Sequence, residues 1–220
     1  MFEQAVSQDT QEFLALLSKV PAIKNAYLAG GTACALRIGH RLSFDLDFFT
    51  EKKFRTKSAL KALSKIKFFA PDRTAWGTVL GKFKSVKFSL FYYEYPLLAP
   101  TEVYNGIRIV SLKDVAAMKI AAIADRGTKR DFVDMFFMGQ EGISIEEAVE
   151  LYGKKYRNLS STLPHILKSI TYFDDAEKDK MPKMLKKISW GKVKKYFTDE
   201  AKSTVKKFLE GHRKKRKIVH

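Results

Sequence analysis

Two aspartates separated by one residue, in the run SFDLDFF, constrain this chain more than any other feature of its sequence. The run is rich in aromatic and apolar residues, which predicts a β-strand. Because successive side chains of a strand alternate between its faces, Asp45 and Asp47 should share one face. We expect the alternate residues, Phe44, Leu46 and Phe48, to enter the core. Two neighbouring carboxylates repel each other unless a cation lies between them, so the pattern predicts a site for Mg²⁺ or Mn²⁺.

A pair of glycines lies a short helix ahead of these aspartates. Gly30 and Gly31 interrupt a strand predicted around 26–29, and the residues TACALRIG predict a short helix closed by Gly39. Backbone N–H groups at the start of a helix can hold a phosphate, and glycines allow it to approach closely. A phosphate-binding turn followed by a metal-binding pair provides the groups that two-metal nucleotidyl transfer requires.

The rest of the N-terminal half contains both helix-like and strand-like segments. DTQEFLALLSKV and RTKSALKALSKI predict helices, whereas IKFFA, TAWGTVLGKF, VKFSLFYYEY and GIRIVS predict strands of a mostly antiparallel or mixed sheet. Pro96 and Pro100 bound a loop. We therefore predict an α/β region over residues 1–110.

From Ser111 onward the pattern is helical. Ser111 and Asp114 form a capping box at the start of a helix that ends at Gly127, and KRDFVDMFFM begins another. Helical composition continues in SIEEAVELYGKKY, TLPHILKSITYF, MPKMLKKI and GKVKKYFTDEAKSTVKKFLEG. We predict a basic helical region over residues 111–220. The whole chain should be α+β, with a mixed β-sheet and flanking helices followed by a C-terminal helical bundle.

The order of the glycine turn and the aspartates resembles the signature of the DNA polymerase β-like nucleotidyltransferase superfamily. That signature is a Gly-Gly or Gly-Ser turn, a helix, and an Asp-x-Asp strand, and here twelve residues separate Thr32 from Asp45. The longer string GGTACALRIGHRLSFDLDFFT, with Arg41 and Ser43 ahead of the acids, resembles the AbiEii-like branch. These are the nucleotidyltransferase toxins of type IV toxin–antitoxin and abortive-infection systems. The resemblance implies a nucleotidyltransferase-type fold for the N-terminal sheet.

A second group of charged residues lies in KIAAIADRGTKRDFVDMFFM. Lys119 and Arg126 are seven residues apart and share a helix face, and Asp131 and Asp134 share a face of the next helix. This resembles the family's second motif, which is a Lys on one helix and Arg-Asp-x-x-Asp opening the next. The resemblance implies that Lys119 binds the triphosphate and that Asp131 is important for activity, by holding Lys119 or an arginine in place or by acting as a base. Alternatively, the second group is a salt-bridged helix corner of Arg126, Arg130, Asp131 and Asp134.

The predicted active site combines both groups. Its catalytic residues are Asp45, Asp47, Lys119 and Asp131, with the metal on Asp45 and Asp47, and its nucleotide-binding residues are Gly30, Gly31, Thr32, Arg41, Ser43, Lys119, Arg126 and Arg130. Members of the wider superfamily usually carry a third carboxylate on a later strand. The candidate strand SVKFSLFYYEY has no acid before Glu94, so either Glu94 serves from the strand's end or the third ligand is absent.

The chain is strongly basic, with 41 Lys and Arg residues, 24 Asp and Glu residues and a formal net charge of +17. From Lys178 to the end, sixteen basic residues outnumber four acidic ones by twelve. Such a field attracts polyanions, with nucleic acid the first candidate and an acidic membrane surface the second. A solvated helix face with a basic tail would have the same composition. Aromatic residues in this region could stack bases or form a helical core, and they are Tyr172, Phe173, Trp190, Tyr196 and Phe197.

We expect a Mg²⁺-dependent nucleotidyltransferase that moves a nucleoside monophosphate from an NTP to RNA. The resemblance implies that the acceptor is the 3′ end of a tRNA, that the protein is a toxin, and that a cognate antitoxin is its partner. One alternative is a non-catalytic nucleic-acid-binding protein on a degenerate nucleotidyltransferase scaffold, which the missing third acid favours. Another is a transferase that phosphorylates or nucleotidylates a protein.

The single cysteine, Cys34, excludes an internal disulfide framework, and its alanine-rich surroundings predict a small core residue. No N-terminal segment has the apolar centre of a signal peptide, and no apolar run is long enough to span a membrane. We therefore expect a cytoplasmic monomer without a membrane partner.

Overall fold

The computed structural model describes residues 1–157 and 163–218. Its early helices are α1 (Gln8–Leu17), α2 (Pro21–Lys24), α3 (Gly30–Ile38) and α4 (Thr56–Leu63), after a 3₁₀ turn at Glu3–Ala5. Its strands are β1 (Tyr27–Leu28), β2 (Asp45–Thr50), β3 (Phe69–Ala75), β4 (Thr78–Phe83), β5 (Val86–Tyr92), β6 (Glu102–Tyr104) and β7 (Ile107–Ile109). The later helices are α5 (Leu112–Asp125), α6 (Lys129–Gln140), α7 (Ile145–Lys155), α8 (Leu163–Ser169), α9 (Asp174–Glu177) and α10 (Trp190–Ile218).

The chain divides into two compact units. The first contains Met1–Val115 and the short segment Lys183–Lys186, and the second contains Ala116–Pro182 and the described residues from Lys187 onward. All strands of the described residues belong to the first unit, whereas the second unit is helical. The division falls within α5, which contributes residues to both units.

The described strands form one mixed sheet in the order β3-β4-β5-β2-β1-β7-β6. β2 is central, because it pairs in parallel with β5 on one side and antiparallel with β1 on the other. β3, β4 and β5 follow one another as an antiparallel meander, and β1 is parallel to β7. The strand that carries the paired aspartates therefore has a neighbour on each edge, so its backbone is held by two ladders.

The two faces of β2 differ as the alternation in the sequence predicts. Leu46 and Phe48 are fully buried, whereas Asp45 and Asp47 are half-buried on the other face. Phe13 of α1 packs on the apolar face, where it contacts the rings of Phe83 and Phe88 with centroids 4.5 and 5.7 Å away. The core of the first unit thus lies between the sheet and α1, and the aspartates lie on the opposite side of the sheet.

Aromatic rings form the centre of the second unit. Phe132 of α6 contacts three of them, Phe173, Trp190 and Phe197, at centroid distances of 5.2, 5.9 and 4.9 Å. Tyr196 contacts Phe197 at 5.6 Å, whereas Tyr172 is 49% exposed. Four of the five aromatic residues considered for base stacking therefore pack against other rings of this core.

Helix α10 has one buried face. Val193, Phe197, Ala201 and Thr204 follow one another at spacings of three or four residues, and all four are buried. These spacings place the four side chains along one stripe of the helix. Lysines make up much of the remaining sequence of α10, so this long helix is not apolar overall. In the described residues, no helix is both long and apolar enough to cross a membrane.

The prediction that Phe44 enters the core was wrong, because the strand begins one residue later. Ser43 forms an isolated bridge with Val6 instead of joining the sheet, and its N–H donates to the carbonyl oxygen of Ala5 at 2.8 Å. Phe44 is consequently 45% exposed, and the Lys183 ammonium lies 5.7 Å from the centre of its ring.

The predicted helix MPKMLKKI, residues 181–188, is also wrong, because this segment is not helical. Met184 forms an antiparallel bridge with Arg41, the N–H of Leu42 donates to the carbonyl of Lys183, and the N–H of Leu185 donates to the carbonyl of His40. Since backbone groups of this segment are bonded to residues 40–42, an intrahelical ladder does not form.

The remaining boundaries differ in smaller ways. The run TAWGTVLGKF is a hairpin rather than one strand, because Trp76 and Gly77 form a two-residue connection in which Gly77 has a φ of +64°. β6 was not predicted, and it pairs with β7. The first residue of the predicted helix TLPHILKSITYF, Thr162, lies outside the described residues. The predicted cap at Ser111 is confirmed, since its hydroxyl accepts from the N–H of Asp114 at 3.1 Å.

We predict that Phe13→Ala destabilises the protein by about 3–5 kcal/mol, because it removes a fully buried ring from the core of the first unit. Urea unfolding measures this change as a lower midpoint. Phe68→Ala is the control, because Phe68 is 58% exposed and its removal should change the free energy of unfolding by less than about 1 kcal/mol. Equal effects of the two substitutions would contradict the assignment of this core.

Candidate active site

The glycine turn brings the start of α3 against β2. Gly30 has a φ of +64°, a conformation that other residues adopt only with strain. A β-carbon at Gly30 would lie 3.1 Å from Oδ2 of Asp47, and one at Gly31 would overlap the guanidinium of Arg41. The two glycines therefore allow the first N–H groups of α3 to approach both a carboxylate and a guanidinium.

Hydrogen bonds tie α3 to the segment that leads into β2. The Thr32 hydroxyl lies 2.8 Å from the Ser43 hydroxyl and also bonds to the backbone carbonyl of Asp45. Arg41 is 3% exposed, and its Nη1 donates to the carbonyl of Leu42 at 2.9 Å. The structure thus brings together all seven residues predicted for the site in the first unit, namely Gly30, Gly31, Thr32, Arg41, Ser43, Asp45 and Asp47.

The register of the sheet determines what stands next to the aspartates. Asp45 is beside Lys87 of β5, and Asp47 is beside Ser89. The Ser89 hydroxyl donates to Oδ1 of Asp47 at 2.6 Å, which is a short hydrogen bond to a charged acceptor. This bond fixes the orientation of the Asp47 carboxylate, while its other oxygen faces Gly30.

No carboxylate of the described residues takes the place next to Asp47 on β5, because Ser89 occupies it. Glu94 is exposed and follows the end of β5 by two residues. It is five residues beyond Ser89, which is roughly 16 Å along an extended chain. Within β5, the residue beside Asp47 is therefore a serine and not an acid.

The first unit therefore combines groups for an anion and for a cation. The N-terminus of α3 carries partial positive charge and the Arg41 guanidinium a full one, and both favour a phosphate. Asp45 and Asp47 project from the same side of β2 and offer oxygen ligands of the kind that Mg²⁺ prefers. A metal-bound polyphosphate is the ligand class that satisfies both requirements together.

The second group of predicted residues forms a buried charge cluster in the second unit. The Lys119 ammonium lies 2.8 Å from Oδ1 of Asp131 and 2.5 Å from Oδ2 of Asp134. All three residues are at least 96% buried. A buried ammonium without carboxylate partners would be strongly unfavourable, so the two aspartates stabilise Lys119 in its charged form.

Asp131 accepts further hydrogen bonds from its own surroundings. Arg126 approaches it with Nε at 3.1 Å and Nη2 at 3.3 Å, and the Thr128 hydroxyl donates at 2.7 Å. Burial would raise the pKa of the Asp131 carboxyl group, but the Lys119 ammonium and the Arg126 guanidinium hold this pKa well below its ordinary value. Asp131 is consequently ionised at neutral pH and is a poor proton acceptor.

The sequence analysis considered a salt-bridged helix corner without Lys119, and the structure shows that Lys119 is part of it. Arg126, Asp131 and Asp134 belong to this corner. Arg126 and Arg130 are both exposed. Two contributions had not been predicted from the sequence, namely the Thr128 hydroxyl at Asp131 and the Ser89 hydroxyl at Asp47. A signal existed for Thr128, because a threonine three residues ahead of an acid is common at a helix start.

The model of the family described as nucleotidyl transferase AbiEii toxin, type IV TA system, matches residues 12–79 and 91–211. Both charged groups lie within the matched ranges, whereas residues 80–90, which include most of β5, lie outside them. An uncharacterized protein of Aquifex aeolicus (strain VF5) is 37% identical over 215 residues, which cover 93% of this chain and 98% of the relative.

Solved structures share the fold at low sequence identity. MenT4, a nucleotidyltransferase toxin from Mycobacterium tuberculosis, has a TM-score of 0.56 and 16% identity, covering 88% of this chain and 81% of MenT4. JHP933 from Helicobacter pylori has a TM-score of 0.54 and 19% identity, covering 98% of this chain and all of JHP933. The predicted fold class, a nucleotidyltransferase-type mixed sheet followed by helices, is confirmed.

We predict that Asp131→Asn lowers the free energy of unfolding at pH 7 by roughly 3 kcal/mol, because it removes one partner of a buried ion pair. The folded-state pKa of Asp131 lies below its ordinary value of 3.8, so its contribution is complete above that value and is lost as the pH falls below it. Urea unfolding of both proteins between pH 3 and 7 should therefore show a difference that shrinks below about pH 4.

Asp125→Asn is the control, because it removes an exposed carboxylate from α5 and should change stability by less than about 0.5 kcal/mol. A stability difference between wild type and Asp131→Asn that grows as the pH falls would contradict the assigned ion pair.

Proposed function

The chain belongs to the family of AbiEii nucleotidyl transferase toxins of type IV toxin–antitoxin systems, and from this premise we propose which metal and acceptor its residues serve. It is a nucleotidyltransferase, so the non-catalytic alternative is wrong. We propose that it transfers a nucleoside monophosphate from an NTP to the 3′ end of an RNA, most simply a tRNA. The observation that carries the proposal is the approach of the Gly30 turn to Asp47.

The proposed nucleotide site lies at the start of α3. Backbone N–H groups of Gly30, Gly31 and Thr32 would bind the triphosphate, since they are at the positive end of the helix. Arg41 would add a guanidinium from the side of Gly31, where it already lies against the backbone. Ser43 would hold Thr32 in place through the contact between their hydroxyls.

Asp45 and Asp47 would hold the divalent metal, which we propose is Mg²⁺, with Mn²⁺ as a substitute. When bound, the ion supplies positive charge that neutralises the phosphoryl oxygens. The two carboxylates fit this role because they share one face of β2 and because Ser89 orients Asp47. Ser89 leaves the site with two strand carboxylates rather than three.

For the second unit we propose that Asp131 positions Lys119 rather than acting as a base, since the pKa of Asp131 lies well below its ordinary value. The resemblance implies a triphosphate-binding role for Lys119. Arg126 and Arg130 have exposed side chains and would contact phosphates of the nucleotide or the RNA. The basic surplus from Lys178 onward would attract the RNA backbone. We further propose that the protein acts as a cytoplasmic monomer, with an antitoxin as its genetic partner.

We predict that Asp47→Asn, and separately Asp45→Asn, reduces transfer of label from NTP to RNA by about 10³-fold, because metal charge stabilisation is worth several kcal/mol. The assay incubates the protein with each labelled NTP, Mg²⁺ and bulk tRNA, and it counts label in the RNA. Asp72→Asn is the matched control, since Asp72 is an exposed carboxylate of β3 and its removal should leave transfer unchanged.

Circular dichroism must show that the variants remain folded. If an Asp45→Asn/Asp47→Asn double variant transfers label at the wild-type rate, the proposed role of the two aspartates is wrong. If label is transferred to proteins of an extract but not to RNA, the acceptor is a protein. The proposed nucleotide site would be unaffected by that result.

We predict that Ser89→Ala raises the Mg²⁺ concentration for half-maximal transfer several-fold, because Asp47 loses the hydroxyl that orients it. Saturating Mg²⁺ should restore most of the rate. Thr50→Ala provides a comparison, since Thr50 is a buried hydroxyl of β2 that bonds to the backbone of Lys52 rather than to an aspartate. If both variants have the same Mg²⁺ dependence as wild type, Ser89 has no positioning role.

A further inference from the structure

The acidic strand β2 separates two different surfaces of the first unit. On one side lies β1, which leads into the glycine turn and α3. On the other side lie β5 and then β4. The register places Lys87 beside Asp45, and it places Lys82 of β4 beside Lys87. Because paired residues of neighbouring strands point to the same side of a sheet, both lysines share the face of the aspartates.

These two lysines differ from their neighbour Lys84. Both Lys82 and Lys87 are exposed, and within the described part of the chain neither makes an ion pair or a side-chain hydrogen bond. Lys84, in contrast, pairs with Asp9 at 2.9 Å and with Glu12 at 2.6 Å. Two like charges that stand side by side repel each other, so this pair is unfavourable until an anion joins it.

We propose that Lys87 and Lys82 bind the phosphate backbone of the RNA acceptor as it approaches the metal site. Neighbouring strands are about 4.8 Å apart, so the backbones at Lys87 and Lys82 lie roughly 5 and 10 Å from that of Asp45. The two ammonium groups thus form a short row that leads to the carboxylates. This inference rests on the proposed function, and it assigns the acceptor to the β5 and β4 side of β2.

The direction of the reaction supports this assignment. In an in-line displacement, the attacking hydroxyl and the leaving pyrophosphate are on opposite sides of the phosphorus that is transferred. With the triphosphate at the glycine turn, the attacking 3′ hydroxyl must come from the far side of β2. The oxygen of that hydroxyl forms the new bond to the α-phosphorus, the bond to pyrophosphate breaks, and the hydroxyl proton passes to solvent. The lysines stand on that far side.

The lysine pair also lies in a part of the sheet that the family model does not match. Residues 80–90 are outside the ranges matched by the family model, and they include Lys82 and Lys87 together with Ser89.

The test compares Lys82→Gln/Lys87→Gln with Lys84→Gln in the full-length protein. With bulk tRNA as acceptor, the double variant should raise the KM for RNA on the order of tenfold, while the KM for NTP stays within twofold of wild type. In binding titrations with 5′-fluorescein-labelled tRNA and no NTP, the slope of log affinity against log salt should fall in magnitude by about 1.4, since two phosphate contacts are lost. Lys84→Gln should change neither quantity.

The binding titration does not depend on transfer, so the two proposals can fail separately. Suppose that wild type transfers no label to RNA, but that the salt slope of tRNA binding is still smaller for the double variant. The proposal that RNA is the acceptor is then wrong, whereas the proposal that the lysine pair binds RNA is supported. If wild type labels RNA and the double variant matches Lys84→Gln in both KM and slope, the lysine pair does not bind RNA. An equal rise in the KM for NTP would also overturn the inference, because the lysines would then serve the nucleotide.

Discussion

The close approach of a helix start to an acidic strand is the constraint on which the first unit depends. Gly30 makes it possible, because its backbone is left-handed and because a β-carbon there would lie only 3.1 Å from Oδ2 of Asp47. The positive end of α3 and the paired carboxylates of β2 are then next to each other, and Arg41 lies against the same turn. An anion alone would be repelled by the aspartates, and a cation alone by the guanidinium. The arrangement therefore favours the two together, as in a metal-bound nucleotide.

The second unit arranges its charges in the opposite way. Lys119 is withdrawn from solvent and shared between Asp131 and Asp134, while Arg126 closes over Asp131. Burying such groups costs desolvation energy, which the hydrogen bonds offset only when every group has a partner. The gain is geometric, because α5 and α6 are held at one relative position. The chain thus contains a half-buried pair of carboxylates in the first unit and a buried cluster of paired charges in the second.

Much of the fold follows from short-range patterns. Alternation in FDLDF separated the buried Leu46 from the half-buried Asp47, and Gly39 ends α3 in the left-handed conformation expected of a C-terminal glycine. The misplaced elements share a different cause. Phe44 is turned outward because Ser43 bonds to residue 5, and residues 181–188 are not helical because backbone groups within them bond to residues 40–42. In both cases, a distant backbone partner outweighed the local propensity.

By itself, the sequence determined the features of each unit that depend on spacing. These are the glycine turn and the two aspartates on one face of a strand, and the helices that carry Lys119 and Asp131. Only the tertiary structure decided that Ser89 rather than Glu94 stands beside Asp47, that Lys119 is buried between carboxylates, and that Lys87 and Lys82 continue the row from Asp45. The physical reason is that spacing along one element is set by its own backbone geometry. Neighbours across a sheet or between helices are set by register and burial, which depend on the whole fold.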